Sequence, residues 1–90
     1  MTKVQVSIHE YTNNTVRLLW EPGFTIRVTL EDGACGVIAN AEGLISLARH
    51  MLTLAQDQVP VGVHLHLDDL NSMEPGSAEL IIERGPAQAA

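Results

Sequence analysis

Apolar and polar positions alternate with period two over several short stretches, the pattern of strands that bury one face. Val4, Val6 and Ile8 alternate with Gln5, Ser7 and His9, and Val16, Leu18 and Trp20 follow a polar tip at Thr12-Asn13-Asn14-Thr15. Phe24, Ile26, Val28 and Leu30 alternate with Thr25, Arg27 and Thr29, the cleanest strand of the chain; Gly36-Val37-Ile38-Ala39 returns from a turn at Asp32-Gly33. Val63, Leu65 and Leu67 then alternate with His64, His66 and Asp68, and beyond a loop at Asn71–Gly76 Ala78, Leu80 and Ile82 alternate with Glu79, Ile81 and Glu83. Pro22 and Gly23 fit the two central positions of a type II turn.

Between the fourth and fifth of these strands the period changes to that of a helix. Asn40 is placed to cap orphan amides, and Glu42 lies in the first turn, where the helix dipole favours a carboxylate. Leu44, Leu47, Ala48, Met51, Leu54 and Ala55 recur at three- and four-residue spacing, widened by Ile45 and Leu52, with Ser46, Arg49, His50, Thr53, Gln56 and Asp57 opposite. The spacing predicts a helix over about 41–57 that stops before Pro60, with the leucine face inward. The expected fold is therefore α+β: one amphipathic helix packed on one face of a mostly antiparallel sheet of five or six strands. A single domain over residues 1–84 and a frayed tail at 85–90 complete the expectation.

The other sheet face is expected to meet water, since it gathers Lys3, Gln5, Ser7, His9, Arg17, Thr25, Arg27, Thr29, His64, His66, Asp68, Glu79 and Glu83, with Leu19 and Ile81 as apolar exceptions. Charge sharpens this picture. The 90 residues carry a net charge of −6 with only three aromatics, Tyr11, Trp20 and Phe24, which argues against nucleic acid as a partner. The excess is local: Asp57, Asp68, Asp69, Glu74, Glu79 and Glu83 lie between residues 57 and 83 with no Lys or Arg among them. Cys35 has no partner in the chain, so a disulfide scaffold is impossible; no apolar run suits a signal or a membrane span. The expectation is a soluble cytoplasmic protein.

Catalytic signatures are missing: no G-x-S-x-G, H-E-x-x-H, C-x-x-C or Gly-rich phosphate loop occurs, and no enzyme activity or cofactor is implied. Cys35 among small neighbours reads as an apolar strand residue, and His50 beside Arg49 as a surface residue. The most suggestive run is His64-Leu65-His66-Leu67-Asp68-Asp69. On a strand His64, His66 and Asp68 share a face, which allows a metal site completed by Glu79 or Glu83, or simply a solvated face; the latter is the favoured reading. Phe24 is expected in the core, while Trp20 either closes the core or anchors a partner.

The stretches Gly36-Val37-Ile38-Ala39-Asn40-Ala41-Glu42-Gly43-Leu44, Leu47 to Ala55, His64-Leu65-His66-Leu67-Asp68 and Glu79-Leu80-Ile81-Ile82-Glu83-Arg84 together resemble the Immunity protein 32 family of bacterial polymorphic toxin systems. The resemblance implies a non-catalytic antagonist whose partner is a cognate toxin. It carries over no contact residue. From the charge pattern itself, His64, His66, Asp68, Glu79 and Glu83 are the expected partner-binding positions, with Trp20 as an anchor. Two other readings stay open: a metal-binding enzyme or sensor centred on His64, His66 and Asp68, and a homodimeric accessory domain that self-associates through the sheet face, where Arg17 and Arg27 could pair with the acidic positions across a two-fold axis, or through an edge strand.

Overall fold

The structure is a computed structural model that describes residues 1–88. Along the chain stand β1 (Ile26–Glu31), β2 (Ala34–Ala39), α1 (Ala41–Leu54), β3 (His64–Leu67) and β4 (Leu80–Glu83). The α+β class and the lone helix agree with the sequence. The sheet does not: instead of five or six strands in one layer there are two antiparallel pairs, β1 with β2 and β3 with β4.

The first pair is a tight hairpin. Asp32 and Gly33 take φ of 50° and 78°, the left-handed geometry that a two-residue turn needs to match strand twist. The register runs from Ile26 opposite Ala39 to Glu31 opposite Ala34. Ile26 and Val28 are completely buried on its inner face. The far edge of β1 is not open, because the Glu74 amide donates to the Ile26 carbonyl and the Ala78 amide to that of Val28, both at 2.9 Å. Residues 74–78 thereby join the first pair to the second, in which His64 faces Glu83 and Leu67 faces Leu80.

The strands expected around residues 4–8 and 16–20 form no ladder, although the turn between them exists. Asn13 and Asn14 have φ of 54° and 57°, and the Thr15 amide donates to the Thr12 carbonyl at 3.0 Å. Several flanking backbone groups bond instead to side chains of the helix and of the turn that follows it. Arg49 donates to the carbonyls of Ser7 at 2.9 Å and Leu19 at 3.3 Å, while Gln56 donates to the His9 carbonyl and accepts from the Tyr11 amide, both at 3.0 Å. Alternation had identified segments with one inward face; it could not show that their hydrogen-bonding groups would go to a helix rather than to a strand.

Asn40 starts the helix as expected, its Oδ1 accepting from the Gly43 amide at 2.8 Å. The same oxygen accepts from the Thr25 amide at 3.0 Å, and Nδ2 donates to the Gly23 carbonyl at 2.9 Å. One side chain thus ties the helix to the Pro22-Gly23 turn, which has Gly23 at φ 79°. The helix is rotated from its expected setting. The buried positions are Gly43, Ser46, Leu47, His50, Thr53 and Leu54, one residue out of phase with the leucine stripe, or about 100° of turn. Gly43 permits this because any side chain there would overlap the Thr25 carbonyl. Ser46 and Thr53 permit it because their hydroxyls donate back to the carbonyls of Glu42 and Arg49 at 2.8 and 2.7 Å.

Two apolar clusters make the core. Ile26, Val28, Leu47, Leu67 and Met73 form one, with Trp20 and Phe24 packed against it, and Leu54, Val59 and Leu65 form the other; Ile82 touches both. Arg84 closes the far end of the helix by donating to the carbonyls of Leu54 and Gln56 at 2.8 and 2.7 Å. Residues 85–88 are exposed and belong to no element, and the rest of the expected tail, 89 and 90, lies outside the described residues.

Candidate functional site

β3 buries Leu65 and Leu67 and turns His64 and His66 outward, as period-two alternation requires. Antiparallel pairing sets His64 beside Glu83 and His66 beside Ile81 on that outer face. Glu79, just before β4, brings its carboxylate to 3.6 Å from His66 Nε2, and Asp68 reaches 3.9 Å from the same nitrogen. Five of the six expected partner-binding positions, His64, His66, Asp68, Glu79 and Glu83, are therefore brought to one surface.

Asp68 has a second task. Its Oδ1 accepts from the Leu70 and Asn71 amides at 2.9 and 3.0 Å, and its carbonyl accepts from the Met73 amide at 2.9 Å, so it shapes the loop leaving β3. Asp69 also bonds loop backbone, accepting from the Gly76 amide at 3.2 Å. These bonds leave the acidic charge in place at the surface. His64 Nδ1 turns back to the Gly62 carbonyl at 3.0 Å while His66 turns toward the carboxylates, and among the described residues no group of three or more His, Cys, Asp or Glu is arranged to hold a metal ion. His64, His66 and Asp68 do not form such a group in this structure, with His64 Nδ1 held on the Gly62 carbonyl and away from His66 Nε2 and Asp68.

Trp20 stands outside this cluster. Its ring stacks on Phe24 with centroids 4.5 Å apart and meets the edge of His50 at 4.4 Å, so it packs as a core residue rather than as an exposed anchor. His50, expected on the surface, is fully buried, and neither ring nitrogen has a hydrogen-bond partner. Burial, with a smaller contribution from the neighbouring Arg49 charge, pushes its pKa down to about 4, so the ring is neutral.

Three of the five cations are held by bonds within the fold. Arg49 is paired with Glu21 at 2.6 Å and with backbone carbonyls, Arg84 is spent on the helix end, and Arg27 donates to the Pro75 carbonyl at 2.9 Å. The Arg27 bond uses one of five guanidinium donors on an exposed side chain, which keeps its charge.

A further feature was missed by the sequence reading. Because the helix is rotated, Leu44, Leu47, Ala48 and Met51 line a groove of about 360 Å³ with Val37 of β2 and Leu80 and Ile82 of β4. The groove continues past Met51 and Ile82 to Leu54, Ala55 and Glu83. The signal in the sequence was the breadth of the stripe: with Ile45 and Leu52 added, the helix holds more apolar side chains than one buried face can use.

Among the described residues no helix is long and apolar enough to cross a membrane. No curated protein and no solved structure gives a significant match to the chain. The family model of Immunity protein 32 matches residues 36–85, which is 50 of the 90 positions and takes in most of β2 and all of α1, β3 and β4. The chain belongs to the Immunity protein 32 family.

Proposed function

We propose that the protein is a non-catalytic immunity factor that binds a cognate toxin in the cytoplasm and blocks it, with the outer face of β3 and β4 as the contact surface. Family membership carries this reading. The geometry supports the choice of surface: His64, His66, Asp68, Glu79 and Glu83 lie together, and three of the five cations are engaged elsewhere in the fold. Such a face suits a basic toxin site, because complementary potential raises the association rate and fixes orientation. A specific complex of this kind covers about 1,600 Å² in total, more than these five residues supply, so neighbouring positions of the same face take part.

The test is co-expression with the products of the genes flanking this one, each first expressed alone to find one that arrests growth; a neighbourhood with no such product counts against the immunity reading. The parent protein rescues growth, and Glu79→Lys with Glu83→Lys, both at exposed positions, slows association at least tenfold and weakens rescue while the protein stays folded. Failure of the parent protein to rescue overturns the immunity reading. Full rescue and unchanged association by the double variant overturn the choice of surface.

A further inference from the structure

We infer that the protein self-associates through the open edge of β2 and the apolar groove beside it, forming a two-fold dimer in which the β2 strands of two copies pair antiparallel. The first observation is an unsatisfied edge. β2 pairs only with β1, and the far edge of β1 is covered by residues 74–78, so β2 is the edge of its sheet left open among the described residues. Its sequence, Ala34-Cys35-Gly36-Val37-Ile38-Ala39, has no charge, no proline and no lysine, the usual devices that keep an exposed edge from pairing.

The second observation is the groove. Val37 projects from β2 on the same face as Ile26 and Val28 side by side with Leu44 and Met51 of the helix, and all three of Val37, Leu44 and Met51 remain about half exposed. No charged residue lines this part of the groove. A partner must therefore present a neutral, apolar strand with a neighbouring apolar helix stripe. The chain itself carries that surface, and a two-fold axis normal to β2 places each copy's stripe against the other's. At a net charge of −6 two copies repel one another, and this uncharged face is where they can approach at least electrostatic cost.

The third observation is area. The accessible surface is 6395 Å², whereas a monomer of this 9.7 kDa mass typically exposes roughly 5,100 Å². The excess, about 1,300 Å², is shared among all exposed parts of the molecule, residues 1–5 and 85–88 included, and leaves room for one partner's share of a standard interface, about 800 Å². A six-residue strand spans about 20 Å and the helix stripe from Leu44 to Ala55 about 16 Å, so the footprint is at the small end for a stable dimer. The expected association is correspondingly weak, in the micromolar range.

Sedimentation of the full chain over a wide concentration range tests this. The expected result is a mass rising toward twice 9.7 kDa, a dissociation constant that tightens or holds as salt increases, and slower amide exchange in β2 at high concentration. Val37→Lys places a charge inside the groove and Leu44→Glu one on the helix, where the native residue is half exposed; each weakens the dimer at least tenfold with the circular dichroism spectrum unchanged. A monomer at every concentration overturns the inference. So does a dimer that loosens with salt, which would be held by charge, or one that both variants leave intact.

Discussion

His50 gives the sharpest test of the packing described above. In the fold its pKa is about 4 rather than the ordinary 6.5, so the folded protein resists taking up a proton that the unfolded chain accepts. Below pH 6.5 the unfolded state binds more protons, and stability falls as pH falls until the folded pKa is reached. Between pH 7.5 and 4.5 this linkage amounts to about 2.5 kcal/mol. That is a large share of the roughly 5 to 13 kcal/mol usual for a chain of this length. His50→Leu removes the proton site at nearly constant volume and also removes two buried nitrogens that have no partner. The variant should therefore match or exceed the parent at pH 7.5 and keep most of its stability at pH 4.5. Urea unfolding at both pH values, followed by the fluorescence of the single tryptophan, Trp20, supplies the measurement. Carboxylate titrations are common to both proteins and cancel in the comparison. If parent and variant lose the same stability within about 0.5 kcal/mol, His50 is not buried as described.

The turn of the helix toward Thr25 makes Gly43→Ala a test of sign. A glycine to alanine change inside a helix ordinarily gains up to about 1 kcal/mol, but the new methyl overlaps the Thr25 carbonyl, so thermal unfolding should show a loss of about 1 to 3 kcal/mol. Asn40→Ala removes the helix cap and the links to Thr25 and Gly23, lowering stability by about 2 kcal/mol. Asn40→Asp keeps both accepted bonds and loses only the donated one, so it should fall between alanine and the parent in the same melt.

The parts of the fold that could be read from the sequence were those fixed by local chemistry. Asp32-Gly33 and Pro22-Gly23 formed the turns expected of them, Asn40 capped the helix, and Leu65 and Leu67 went inward while His64 and His66 faced out. The parts that escaped depended on long-range choices. Ser46, His50 and Thr53 read as solvent-facing because their polar groups need partners, yet Ser46 and Thr53 find them within their own helix and His50 goes without. Nothing local could show that residues 7–21 would lie over these side chains and leave the leucine stripe beside an open groove. The acidic surface fared better, since alternation and strand pairing suffice to bring His66 and Glu79 together. Trp20 was undecided because its position depends on the buried His50.

The attachment of the first two dozen residues has a consequence for how the molecule opens. They hold on through separate bonds to Ser46, Arg49 and Gln56, through the ring contacts of Trp20 and through half-buried Tyr11, Val16 and Leu18 against the second cluster, not through a ladder whose bonds reinforce one another. Such a segment lifts off at a lower free energy than β1 and β2 separate. To a protease the chain is therefore two objects, an N-terminal cover that is cut early and a resistant body beginning near Thr25. Each lifting event also lets water reach His50, so acid that has little access to the closed protein would catch it open.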